Sequence, residues 1–259
     1  MKIVVPVRQV AQLHDEFEIL DSSRVDPDYM EFELNEWDSF SLAAATGLAS
    51  ENADTEIIAV AVGGDDCDAV LREAVALGAS RAVHIDVSGE PEPDVLQVGR
   101  LIAEFAYRHD ADLVLCGVQS ADAGAGATPS AVAGCLQWPR LTAVVEVESG
   151  GAGLSVRREL VGGTIEHLAL DLPAVLAIQS GSYEVPYPTI KAKMAAKRTP
   201  IETLTPQDLL DDPSDFEWIR GSASLALAAK VSNTQAQALE GTPNDVALAI
   251  KKIIEEEHA

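Results

Sequence analysis

The chain carries few residues at spacings that could make or break a covalent bond. Its five histidines, His14, His84, His109, His167 and His258, are scattered without metal-ligand spacing. Cys67, Cys116 and Cys135 form no C-x-x-C pair, and their odd number argues against a disulfide framework or a zinc site. Each is expected to act as a small buried apolar residue. There is no G-x-S-x-G elbow, no Walker A sequence, and no G-x-G-x-x-G after a strand-like run.

One loop concentrates what remains. Gly117-Val118-Gln119-Ser120-Ala121-Asp122-Ala123-Gly124-Ala125-Gly126-Ala127-Thr128-Pro129 follows an apolar strand-like run and leads into a helix. In a parallel sheet that is the carboxyl end of a strand, where ligands bind. Free N–H groups at the helix start meet anions there, and small residues let a phosphate approach the backbone. Asp122 and Thr128 are the polar side chains available. This chemistry is nucleotide binding; a hydrolase or transferase built on Asp122 lacks a base and nucleophile pair. Composition alone leaves a second reading open, a surface loop that Gly and Ala merely fill.

A second segment stands out by charge. Pro188 to Arg198 carries Lys191, Lys193, Lys197 and Arg198 with no acid among them, in a chain with only seven lysines. Ile190 and Met194 share one face of a short basic helix, so the segment can dock on an acidic partner with an apolar centre. The alternative is a local counter-charge to the protein's own acids.

The elements that must position these segments alternate over the first ~180 residues. Strand-like runs cover Lys2 to Val7, Glu56 to Val62, Ala82 to Ile85 and Leu113 to Cys116. Between them, Asn35 can cap a helix over 36–49 with Trp37, Phe40, Ala44 and Leu48 at helical spacing. Asp66 or Asp68 starts a helix that Gly78 stops. Asp94 to His109 is amphipathic, and a further helix follows Pro129. Unalternating apolar strands separated by helices predict a doubly wound parallel α/β sheet covered on both faces. Leu154–Leu160 and Thr164–Leu170 around Gly162-Gly163 read as a β-hairpin extension, with one more strand over Pro173–Gln179. We expect residues 1–200 to form a nucleotide-binding domain and 201–259 an extended C-terminal arm, with a last helix near Pro243–Glu257.

Forty-two acidic against 18 basic residues give a formal net charge of −24. That field repels nucleic acid and anionic lipid. Dispersed acids with few lysines predict a cytoplasm of high salt, where screening weakens self-repulsion; the alternative is an ordinary acidic bacterial protein. No apolar run approaches the ~20 residues of a membrane span, which predicts no membrane insertion. The N-terminus enters a strand without a signal-peptide pattern, so a cytoplasmic location is expected.

Several segments together resemble the beta subunit of electron transfer flavoproteins, including the Fix-type branch. Lys2 to Val10 is similar to that family's opening strand and K/R-x-V. Leu71-Arg72-Glu73-Ala74-Val75-Ala76-Leu77-Gly78-Ala79-Ser80-Arg81-Ala82 resembles its L-R-x-A-L-A-M-G-A-D-R-A. Asp112 to Asp122 resembles D-L-(I/V)-L-x-G-x-Q-(A/S)-x-D, Arg158 to Gly163 resembles R-E-x-x-G-G, and Leu172 to Val175 is L-P-A-V. Glu184 to Arg198 resembles E-P-R-Y-x-(T/S)-x-x-x-x-M-x-A-K-K. The match spans about residues 1 to 205, six pieces in order.

The resemblance implies an adenine nucleotide alpha-hydrolase-like, Rossmann-like fold and an electron carrier that is not itself an enzyme. It implies an FAD held mainly by an alpha subunit, with AMP or a second FAD in the beta chain. It implies acyl-CoA or other dehydrogenases as donors, as in fatty acid oxidation, and a membrane quinone oxidoreductase as acceptor. The family's nucleotide site corresponds to Pro6, Val7, Asn35, Val62, Gly63, Gln119, Asp122, Ala123, Gly124, Ala125, Gly126, Ala127 and Thr128. Its flavin-proximal aromatic corresponds to Trp37. Its partner-docking loop corresponds to Glu184, Tyr187, Ile190, Lys191 and Met194, with Ile190 as the aliphatic anchor. The family's polar loop residues are Ala and Gly here, its asparagine-proline is Asn35-Glu36, and its E-P-R-Y is Glu184-Val185-Pro186-Tyr187. The other reading of the same fold is a stand-alone adenine-nucleotide-binding regulator without flavin.

Overall fold

The computed structural model describes every residue except 15–16, 22–23, 65, 92, 151–152, 182, 213–215, 217–237 and 258–259. It divides into a main unit, Met1–Phe17 with Asp26–Ser224, and a second unit, Glu18–Val25 with Leu225–Ala259. In chain order the first elements are β1 (Lys2–Pro6), β2 (Gln9–Leu13), β3 (Ile19–Asp21), β4 (Arg24–Val25), β5 (Met30–Leu34) and α1 (Glu36–Glu51). Then come β6 (Glu56–Gly63), α2 (Cys67–Ala76), β7 (Arg81–Asp86), α3 (Val95–Arg108), β8 (Leu113–Gly117) and α4 (Thr128–Leu136). An antiparallel meander follows, β9 (Arg140–Gly150), β10 (Gly153–Leu160) and β11 (Thr164–Leu170). The main unit closes with β12 (Ala174–Ile178), α5 (Ile190–Ala196), β13 (Ile201–Leu204) and α6 (Pro206–Leu209).

Among the described residues a nine-stranded sheet has the order β11-β10-β9-β12-β8-β1-β6-β7-β13. It is parallel from β9 to β13. The strands are apolar at consecutive positions because both faces are covered. Ile3, Val5, Leu113 and Leu115 pack in the layer of α1 and α2. Val4, Ile58, Val114 and Cys116 pack in the layer of α3 and α4. The order is that of a doubly wound sheet. Chain direction reverses at its centre: β1, β6 and β7 run outward one way, then α3 carries the chain back to β8 on the other side of β1. The helix expected over Asp94 to His109 forms as α3, and a capping box starts it: Asp94 accepts from the N–H groups of Leu96 and Gln97, and Gln97 accepts from the N–H of Asp94.

Several expectations are corrected. Residue 200 is not the edge of the core. Ile201–Leu204 adds a parallel strand beside β7, tied by Arg81 to Glu202 at 2.7 Å, and Leu209, Leu210 and Phe216 are buried against α3's layer. Four residues are too short for a periodic signal, and only the exposed edge of β7 makes them a strand. The strand β9 also lies outside the sequence expectation, although Val145-Glu146-Val147-Glu148 alternates as a half-buried strand should. A residue at φ +57°, Ala143, and a register shift against β12 interrupt it. Antiparallel β2 and β5 form a small ribbon in a stretch that carried no assignment. On α1 the buried face runs through Asp38, Ser41, Leu42, Ala45 and Leu48, while Trp37 and Phe40 are only half-buried. Cys67 and Cys116 are buried as expected, but Cys135 is exposed at the end of α4.

In the second unit β3 and β4 pair antiparallel, and α7 (Pro243–Glu257) forms where a last helix was expected. Much of the weakly patterned stretch 206–240 lies outside the described residues. No described helix is long and apolar enough to cross a membrane.

Candidate functional site

The reversal of chain direction leaves a crevice beyond the carboxyl ends of β1 and β8, because the connections leave these neighbours in opposite directions. A cavity of about 270 Å³ fills it. Its floor is Pro6 at the end of β1 with Val7 and Arg8 after it, Val60 and Val62 of β6, and Cys116 and Gly117 of β8. One wall is the apolar start of α3, Val95, Val98 and Ile102; the other is the Gly/Ala loop running into α4.

Nine of the expected nucleotide-site residues line this cavity: Pro6, Val7, Asn35, Val62, Gln119, Ala123, Ala125, Gly126 and Thr128. Four do not. Gly63 turns its carbonyl to the Val87 N–H at 3.0 Å, with His84 Nε2 3.1 Å away, and a side chain there would meet Cys67 Sγ at 2.7 Å. Ala127 accepts with its carbonyl from the N–H groups of Ser130 and Ala131 at the start of α4. Gly124, at φ +60°, closes a turn by donating its N–H to the Ser120 carbonyl at 2.9 Å. With Gly126 at φ +58° it gives the loop two left-handed bends that a side chain would strain. Asp122 is engaged elsewhere: it accepts from Arg8 Nη2 at 2.7 Å and Nε at 3.1 Å, and from the Ala123 N–H at 2.6 Å. Burial opposes its ionisation, but hydrogen bonds from Ser120 and Arg8, the Arg8 charge and the Ala123 N–H hold its pKa below the usual carboxylate value.

Asn35 stands at the N-cap position of α1, yet its side chain does not cap the helix. It reaches across to the loop instead. Its Nδ2 donates to the Gln119 carbonyl at 2.9 Å, and its Oδ1 accepts from the Ala121 N–H at 3.2 Å. Its own N–H donates to the Arg8 carbonyl at 2.9 Å. Through its backbone N–H and its side-chain amide, Asn35 ties together the end of β1, the start of α1 and the loop.

Sequence reasoning missed two residues, Arg8 and Asp38. Arg8 stands two residues after β1 and supplies a cation at the cavity. Asp38 is 6% exposed and lines the floor. Its Oδ2 accepts from the Arg8 N–H at 2.9 Å. Burial pushes its pKa up to about 7; the N–H of Arg8, the side chain of Asn35, the N–H of Gly117 and the Arg8 charge pull the other way. A periodicity signal was available: Asp38 lies one turn before Leu42 on the apolar face, an acid where an aliphatic residue belongs. Gly117 is small for a reason seen only here. A Cβ on it would lie 2.4 Å from Asp38 Oδ1 and 2.9 Å from Trp37 Cβ. Trp37 itself is half-buried in the first turn of α1 and is not part of the cavity lining.

The basic segment is a separate place. Thr189 caps α5 by accepting from the Ala192 N–H, and Arg72 of α2 donates to the carbonyls of Ala196 and Lys197. So held, α5 turns Ile190 (83% exposed) and Met194 outward, with Tyr187 and Lys191 also exposed. Lys193 Nζ lies 4.4 Å over the Tyr187 ring. Glu184 is exposed and borders a groove with Ser39, Ala43 and Thr46 on the outer side of α1. Among the described residues no group of three His, Cys, Asp or Glu side chains could hold a metal ion.

Residues 25–209 match the family model described as the electron transfer flavoprotein domain. The chain belongs to the electron transfer flavoprotein family. It is 35% identical to the electron transfer flavoprotein subunit beta of Methylophilus methylotrophus over 99% of this chain and 98% of that one. It is 32% identical to the human subunit beta over 81% of this chain and 83% of that protein. With the subunit beta of Bacillus subtilis (strain 168) the identity is 30%, over 77% of both chains. The family match takes in every segment that builds the cavity except β1 and the residues after it, which the Methylophilus relative covers.

Proposed function

We propose that this chain is the beta subunit of a heterodimeric electron transfer flavoprotein and that its central cavity holds an adenine nucleotide. The observation that carries the reading is the cavity at the sheet's reversal point, walled by a loop of small residues that runs into a helix start. Phosphate is met there by backbone N–H groups and by Arg8, while Val95, Val98 and Ile102 offer an apolar wall to a base. A volume of about 270 Å³ suits a mononucleotide such as AMP better than a second FAD.

In this reading the alpha subunit holds an FAD that Trp37 approaches, and that flavin supplies the redox chemistry. This chain shields and positions, and it docks donors and acceptors: acyl-CoA or other dehydrogenases on one side, a quinone oxidoreductase on the other. The docking face is Glu184, Tyr187, Ile190, Lys191 and Met194. Residues 1–200 and the strand that follows would form the nucleotide domain, and the C-terminal segment the arm that meets the alpha subunit. The exposed Leu248, Ile250, Ile253 and Ile254 of α7 are apolar surface for that contact. Net charge and scarcity of lysine further support a cytoplasm of concentrated salt.

The test is co-purification with the alpha partner, followed by flavin and adenine-nucleotide assay of the extract. One FAD and one AMP per heterodimer is the expected result. Two FAD would replace AMP by a second flavin. A colourless protein that forms no complex would overturn the reading in favour of a stand-alone nucleotide-binding regulator.

A further inference from the structure

Two charged residues, Arg8 and Asp38, line the central cavity among the described residues. Arg8 balances Asp38 only in part, because Asp122 engages its guanidinium at 2.7 Å and 3.1 Å from outside the cavity lining. The three groups therefore form a chain of two acids on one cation. With both acids ionised the cluster carries one net negative charge; with Asp38 protonated it is neutral. The carboxyl of Asp38 is fixed at this place. The Arg8 N–H holds Oδ2, and β8 comes so close at Gly117 that a Cβ there would be 2.4 Å from Oδ1. No other element around it brings a charge to the lining. Cys116 of β8 is a buried thiol whose pKa burial raises, with the Asp38 charge adding to the rise, so it stays neutral. Gln119 and Ser120 of the loop, Val60 and Val62 of β6, and Val95 and Val98 of α3 do not titrate.

We propose that Asp38 is a specificity-determining residue of the nucleotide site: its proton decides whether the cavity accepts a phosphate-bearing ligand well or poorly. This rests on the reading of the cavity as a nucleotide site and adds the group that selects the ligand's charge. Protonated, Asp38 leaves a neutral Arg8–Asp122 pair and the loop N–H groups to face the phosphate, with no net negative charge against it. Ionised, it places a negative charge in the floor of a partly enclosed cavity, where repulsion is weakly screened. An adenine nucleotide then binds with uptake of a proton. Burial, which lifts the Asp38 pKa to about 7, puts this exchange in the physiological range.

The experiment uses the heterodimer stripped of its adenine nucleotide and titrated calorimetrically with AMP and, in parallel, with adenosine. Titrations run between pH 6.5 and 8.5 in buffers of different ionisation enthalpy. AMP is largely the dianion above pH 7, its second phosphate pKa being about 6, so later changes belong to the protein. The expected result is fractional proton uptake with AMP near pH 7.5 and a several-fold weaker Kd at pH 8.5 than at 6.5. The limit is about tenfold per pH unit for one linked proton. Adenosine, without phosphate, should show a much smaller change. Asp38→Asn should bind AMP with a flat profile and no proton uptake. A flat wild-type profile without proton uptake, equal slopes for AMP and adenosine, or a slope kept in Asp38→Asn would each overturn the proposal. The two wild-type arms decide it even if the variant does not fold. AMP binding at no pH would overturn the nucleotide reading itself, and this proposal with it.

Discussion

Replacing Asn35 by alanine removes the side chain that ties the start of α1 to the loop, while the backbone N–H still reaches the Arg8 carbonyl. Asn35 is 1% exposed, so water does not simply take its place. Its loss leaves the Gln119 carbonyl and the Ala121 N–H without their partners at 2.9 Å and 3.2 Å. An unsatisfied polar group costs about 1–3 kcal/mol when buried. These two lie in a part-exposed loop that can recover some hydration, so the sum should be about 2–3 kcal/mol at the lower end of that range. For a protein of this size that is a fall of about 4–12 °C in melting temperature. Asn35→Asp should do no better: it keeps an acceptor for Ala121, but turns a carboxylate toward the Gln119 carbonyl and adds a charge beside Asp38. Thermal melts read the stability, and amide hydrogen exchange reads the loop, where Ala121 should exchange faster in Asn35→Ala, which alone removes its acceptor. AMP affinity should fall with loop order. If Asn35→Ala melts within about 1 °C of the wild type and Ala121 exchange is unchanged, the amide does not hold the loop and the reasoning fails.

Gly117→Ala places a Cβ 2.4 Å from Asp38 Oδ1 and 3.0 Å from the Trp37 carbonyl carbon. The backbone of α1 must shift, and denaturation should read a loss of about 1–3 kcal/mol. The raised pKa of Asp38 gives a stability contribution that is fully present below about pH 4 and lost as pH rises through about 7. From pH 5 to 8 the stability gap should therefore move toward Asp38→Asn by up to about 3 kcal/mol, and a gap that does not move would count against ionisation in the folded state. Ile190→Ala should leave the melt unchanged, because the side chain is 83% exposed, while weakening dehydrogenase docking by about 1–3 kcal/mol if it is a hot spot; stopped-flow electron transfer with the natural partner checks it. The net charge of −24 predicts a lower melting temperature in dilute buffer than in molar salt, where screening acts; equal melts in both would contradict it.

The sequence by itself determined the layered fold and pointed to the loop that walls its central cavity. Apolar strands without alternation, such as Ile3-Val4-Val5 and Leu113-Val114-Leu115-Cys116, could only be buried on both faces, and local pattern is enough to say so. The loop from Gly117 to Pro129 could be placed at a strand's carboxyl end because its neighbours in sequence are its neighbours in space. Tertiary structure alone decided how that loop is held. Arg8 lies 114 positions before Asp122, and Asn35 lies 86 before Ala121. Contacts at such separation leave no periodic trace in the sequence between them. The same holds for Asp38, whose position on the apolar face was readable but whose carboxyl gains its unusual proton affinity only when β1 and β8 close around it. It holds again for Ile201–Leu204, which is a strand because β7 offers an open edge. Short-range pattern encodes which face of an element is buried; what meets that face depends on pairings made across the whole chain.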